Sequence, residues 1–126
     1  MAVGAAVATA NSFLGVLRGT AYTGVTAQYV QLHDGDPGAA GSANISAMTT
    51  RNVLTHNVPA NGAMTMATLP SFTMTATESI SHLSVWSAAT GGTFLYSAVL
   101  TAARSVNASD TLTFNTLTVS LAPIAA

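Results

Sequence analysis

Few residues in this chain could carry chemistry. Three histidines, four carboxylates and three arginines stand among 126 residues, with no cysteine and no lysine. Their densest grouping lies in residues 29–46, "YVQLHDGDPGAAGSANIS", where His33, Asp34 and Asp36 fall within four positions. One chemistry that such a cluster could support is a hard-cation or His/carboxylate site. A calcium loop, however, needs five or more oxygen ligands at alternate positions, closed by a bidentate acid. Here the next acid is Glu78. Asp-Gly and Asp-Pro-Gly are strong turn formers, because the Asp side chain bonds its own backbone and Gly accepts positive φ. The stretch is therefore expected to be a turn that launches a loop over residues 35–48 rich in Gly, Ala and Ser.

Other reactive arrangements find no support. His33, His56 and His82 fall on separate strand-like runs, without the spacing of a metal site. The lack of cysteine removes disulfides, zinc-thiolate centres and a thiol nucleophile. No serine sits in a nucleophile elbow, Glu78 has no second carboxylate nearby for glycosidase chemistry, and no Gly-rich phosphate loop ends in Lys. No catalytic, metal or cofactor-binding residue is assigned, and the chain is expected to be a non-enzyme without a cofactor. Trp86, Phe94, Tyr96 and Phe114 could line a glycan groove, although aromatic strand residues more often build a core. Met48, Met64, Met66 and Met74 suit gaps in that core. With so few charges, each arginine is expected to have its own carboxylate: Asp36 or Glu78 for Arg51, and Asp110 for Arg104.

Charged residues make up 6% of the chain, against roughly 25% in ordinary domains. The formal net charge of −1 excludes a basic nucleic-acid footprint, and no run of about 18 apolar residues spans a membrane. The N-terminus lacks the positive flank of a signal peptide. The surface must be made of Thr, Ser, Asn, Ala and Gly, which suits a subunit packed among copies or partners better than a free monomer.

These residues are positioned by one helix and a β domain. Val3, Val7, Ala10, Leu14 and Leu17 recur every three or four positions and predict a helix over residues 2–18, with Phe13 widening the stripe and Gly19 as its stop. No charge marks the other side. The helix is thus expected either between its own domain and a neighbour, the neighbour on the side opposite Val7 and Leu14, or as a short surface helix. From residue 27 to 122 alternation takes over. "AQYVQLH", "TRNVLTHNV", "GAMTMATL", "SFTMTAT", "ESISHLSVWSA", "GTFLYSAVL", "DTLTF" and "LTVSLAPI" read as seven or eight short strands. Asn61-Gly62 and Gly91-Gly92 mark tight turns, and a switch of parity marks a bulge or turn at Asn115-Thr116. The prediction is one domain over residues 1–126, mainly β: an antiparallel β-sandwich or jelly-roll-like barrel with one N-terminal α-helix.

Three segments, "YVQLHDGDPGAAGSAN", "TTRNVLT" and "SISHLSVWSAATGGTFLYSAVLTAARSVNASDTLTFNTLTVSL", carry a resemblance, joined by the N-terminal "LGVLRGTAYT". In order and spacing they resemble small virion structural proteins of tailed phages, mostly from actinobacteria and variously head-decoration, minor capsid or tail-fibre-like. Those run "-LHTGDPG-GTAN-", "-ITHFSLWDA-SGGTFL-SGAL-" and "-V-AGDTLTI-". Asp34 replaces a small Thr, Ile45 a frequent acid, and Ser109 the Gly before Asp110. The resemblance implies a non-enzymatic capsid decoration or cementing protein that binds the major capsid protein or another virion protein. It implies a homo-oligomer, with a trimer favoured, located in the virion after assembly in the host cytoplasm. The alternative is a minor tail or tail-fibre component that contacts the host surface. Val7, Phe13, Leu14, His33, Asp34, Asp36, Arg51 and Trp86 are the candidate interface residues. No nucleic acid or membrane partner is expected.

Overall fold

The computed structural model describes residues 3–121. Nine strands and one helix follow in the order β1 (Gly4–Ala5), α1 (Val7–Leu17), β2 (Gln28–His33), β3 (Asn52–Leu54), β4 (Ala63–Thr65), β5 (Ser71–Thr73), β6 (Glu78–Trp86), β7 (Phe94–Val106), β8 (Thr111–Thr113) and β9 (Thr118–Ser120). The fold is mainly β and sandwich-like. A five-stranded sheet has the order β1-β7-β6-β2-β3, and two short sheets pair β4 with β9 and β5 with β8. Every pairing is antiparallel.

Directly paired residues share a face of a sheet, so the register sorts the side chains. Val30, Val85 and Tyr96 form one row, and Leu32, Leu83 and Ala98 the next. With Phe72, Met74, Leu54 and Phe114 they build the core. The rings of Phe72 and Phe114 meet edge-on at 6.1 Å. Each fully buried Phe, Leu or Ile of this layer contributes about 1.5–3 kcal/mol. The other face carries Tyr29 beside Trp86, then Gln31 beside Ser84 and Ser97, then His33 beside His82. It is polar, and the loop that follows β2 covers it.

Strand β6 is central, as its two apolar faces predict, but its parity is not simple. A register shift between Ile80 and His82 turns Ile80 into the core with Leu83 and Val85. Strict alternation instead places Ile80 beside His82 and Trp86. A bulge has this effect, since one extra residue reverses the side-chain parity. The turns behave as their residues require. Asn61 and Gly62 both take positive φ, 51° and 73°, the pairing of a tight hairpin. Gly91 and Gly92 do the same between β6 and β7. Asn115 and Thr116 lie where the chain leaves one short sheet for the other.

The N-terminal helix is shorter than predicted. Residue 2 lies outside the described residues, and Gly4–Ala5 is a strand paired with Ser97 and Tyr96. Gly4 has a φ of +131°, which a helix does not admit, so α1 begins at Val7. Its apolar stripe is also turned. The residues it buries are Ala6, just before it, and Thr9, while Val7, Leu14 and Leu17 face outward.

Candidate interaction surface

The predicted His/Asp cluster is a structural clamp. His33 ends β2 at 0% exposure. Its Nδ1 lies 2.7 Å from the Ala43 carbonyl, and its Nε2 lies 2.7 Å from Ser84 Oγ. A carbonyl only accepts, so the proton sits on Nδ1 and Nε2 accepts from the Ser84 hydroxyl. Ser84 Oγ in turn accepts from Trp86 Nε1, 2.8 Å away. Indole, hydroxyl and imidazole thus donate in one direction, and all three are satisfied. Burial lowers the His33 pKa, against the raising effect of the Ala43 and Asn44 backbone bonds. The Ser84–His33 pair has the atoms of a nucleophile and its base, but Ser84 is as buried as His33 and its oxygen already accepts the indole N–H.

The loop after β2 is pinned rather than flexible. Asp34 N donates to Asn44 O, Ala43 N to Pro37 O, and Ser46 N to Leu32 O. Asp36 Oδ1 accepts from Gly38 N at 2.8 Å, the expected turn chemistry. At its tip Gly41 is buried against Phe94, and an added Cβ would fall 2.5 Å from that ring. Of the proposed contacts here, Asp34 is exposed and Asp36 half-buried. His33 is no surface contact, because its face of the sheet is roofed by its own loop. Among the described residues, no three of His, Asp and Glu come together as metal ligands do.

Arg51 does not meet the expected carboxylate. It donates to Gln31 Oε1 at 3.2 Å and to the carbonyls of Ala88 and Gly91 at 3.0 and 2.7 Å. Its guanidinium lies 4.0 Å over the Trp86 ring, which also packs on Phe94. Five donors in a plane suit a hairpin's carbonyls as well as a carboxylate, and burial lowers the Arg51 pKa. Glu78 accepts from Ser46 Oγ and Ala47 N. Asp110 accepts from Asn107 N at 2.8 Å, closing a turn instead of pairing with Arg104. Trp86 is therefore a half-buried wall with Arg51 over one face, not an open glycan groove. Tyr96 turns toward the core, where burial raises its pKa and its hydroxyl has no hydrogen-bond partner.

The open surface lies at α1. Val7, Leu14 and Leu17 are 74%, 63% and 86% exposed, and Phe13 and Val16 about half. Beside them runs an apolar groove of about 610 Å³, bounded by Phe13, Leu14, Tyr22, Met64, Tyr96 and Leu117. Phe13 and Tyr22 meet edge-on at 5.9 Å at its mouth. Val7, Phe13 and Leu14 were candidates from the helical pattern. Tyr22 and Val25, which also line the groove, have no periodicity to betray them. The outward side of the helix is also the reverse of the expected one: Val7 and Leu14 themselves point outward. A family model described as Podophage GP4 fiber I protein gp80 matches residues 4–122.

The chain belongs to this family.

It is thus a phage virion structural protein of tail-fibre-like type. The match runs from β1 through β9, so it includes α1, the groove and the pinned loop. A fibre description favours the tail-fibre alternative over head decoration. A search of curated proteins finds no match.

Proposed function

We propose that this chain is a non-enzymatic structural component of the phage tail fibre, held against other virion proteins and copies of itself by its helix-bearing face. The family match over residues 4–122 carries this reading. Three features of the molecule support it. The clustered residues with reactive side-chain types are spent on clamping a loop and a hairpin. The largest single group of exposed apolar residues stands on α1. Charge is too sparse to hold off neighbours. A trimer is the proposed state, assembled in the host cytoplasm with the rest of the particle, with no cofactor. Its partners are virion proteins, not nucleic acid or membrane.

Immunogold labelling of purified particles with an antibody against this chain tests the proposal. Gold on the tail supports it. Gold over the head would retire the fibre reading and restore a decoration protein that binds the major capsid protein, as in an actinobacteriophage head. Absence from the particle would sink both.

A further inference from the structure

We infer that α1 is a self-association element, whose outward seam packs against α1 of other copies of this chain. The inference rests on the reading of the chain as an assembly subunit, not on its place in the particle. Within α1, Val7, Ala10, Leu14 and Leu17 are spaced by three, four and three residues. This is the a/d repeat of a coiled-coil seam, a narrower stripe than a helix needs to lie on its own domain. A helix that served only its own core would bury the seam. Here its three large members, Val7, Leu14 and Leu17, stand in solvent, and the domain takes up only Ala6 and Thr9.

The helix also lacks means of its own. It has 11 residues, no side-chain cap at Ala6, no acid in its first turn and no base in its last. A helix of that length is marginal unless its apolar face is packed. Burial of the seam against a second helix supplies that packing. Residues 3–17 carry no charge, so no ionised group is dehydrated when the seam closes. The flanking positions, Asn11 and Phe13, offer no charged pair that would select a foreign helix over an identical one.

Surface area agrees. The chain exposes 7360 Å². A compact monomer of 12.7 kDa is expected to expose about 6,200 Å², leaving roughly 1,100 Å² in excess. A standard interface covers about 800 Å² per partner. The groove beside the helix lies where the flanks of a neighbouring α1 would come to rest.

The absence of cysteine makes the test clean. The full chain is examined by sedimentation equilibrium, then as Leu14→Glu and Leu17→Glu. Both sites are exposed, so neither change disturbs the core. The expected result is an oligomer for the native chain, association weakened at least about a hundredfold in both variants, and a far-UV circular dichroism spectrum that keeps its β signature and loses at most the contribution of the 11-residue helix. Leu17→Cys should oxidise to a covalent dimer much faster than Val53→Cys, which is exposed on the opposite edge strand. A monomeric native chain, an oligomer indifferent to both glutamates, or equal oxidation at the two sites overturns the inference. So does a chain that stays monomeric and binds only another virion protein. Gold over the head would remove the fibre reading and leave this result untouched.

Discussion

Ser84→Ala removes one oxygen and tests the whole polar clamp. Alanine fits the space, so no large cavity opens. What is lost is the hydroxyl that donates to His33 Nε2 and accepts from Trp86 Nε1. His33 is fully buried, and an acceptor left there without a donor costs about 1–3 kcal/mol. Trp86 is only half-buried, so its N–H can regain water, and its share is nearer ~0.5–1 kcal/mol. The expected loss is about 1.5–4 kcal/mol out of a total of roughly 5–15 kcal/mol for a domain of this kind. Urea unfolding should show a lower midpoint at constant slope. Ser12→Ala, at a hydroxyl bonded only to the Ala8 carbonyl on the exposed helix, should leave the β domain's midpoint unchanged. Nitrogen-detected NMR of the native chain should find the His33 proton on Nδ1. A loss below ~0.5 kcal/mol, or a proton on Nε2, would refute the directional chain from Trp86 through Ser84 to His33.

Four further outcomes follow from the same geometry. His33 is held neutral, with its folded pKa below the unfolded value of about 6.5; its stabilisation is therefore complete above that value and lost as pH falls toward the folded pKa. The unfolding free energy from urea titration should drop between pH 7.5 and 5, by at most ~1.4 kcal/mol per pH unit for this group, and His56, displaced the same way by burial, adds to the slope; a flat profile contradicts this. Gly41→Ala should cost about 1–3 kcal/mol in the same assay, because its φ is +71° and the new methyl meets Phe94. Ser109→Gly should raise the unfolding free energy by about 1 kcal/mol, since Ser109 sits exposed at a φ of 73°. Arg51→Lys keeps the charge but loses the planar fork over Trp86, with an expected cost of about 1–2 kcal/mol and a red-shifted tryptophan emission.

The strands were legible because alternation is local. All eight β-like runs carry a strand, and the faces of β2 follow from single-strand parity. Ile80 was not legible, because a bulge is a property of the pairing and not of one strand. The helix start failed for a related reason. Nothing in "VGAAV" announces an edge strand, and only the free edge of β7 makes Gly4–Ala5 one. The orientation of α1 was misjudged because an apolar stripe states that it wants burial, not against what. Arg51 shows the same limit: charge scarcity predicts that it has a partner, but carbonyls at the Ala88–Gly91 turn carry no mark in the sequence. Ser109 is a further case. Its departure from the Gly of the resembled pattern falls on a left-handed backbone position, a consequence that only the backbone shows.

The scarcity of charge and the surface at α1 are connected. Of seven charged residues, Arg51, Asp36, Glu78 and Asp110 are engaged with backbone atoms of turns and loops. They act as fasteners, and what reaches solvent without such a task is little more than Arg18, Asp34 and Arg104. A free protein in that condition has almost nothing with which to repel its own kind. The loop and the hairpin are already closed by internal partners, and among the exposed apolar residues the densest group stands on one helix beside its groove. A fold that spends most of its charges on fastening its own loops fits the proposed role of a subunit packed among neighbours. That is the physical sense in which this β domain is a building part.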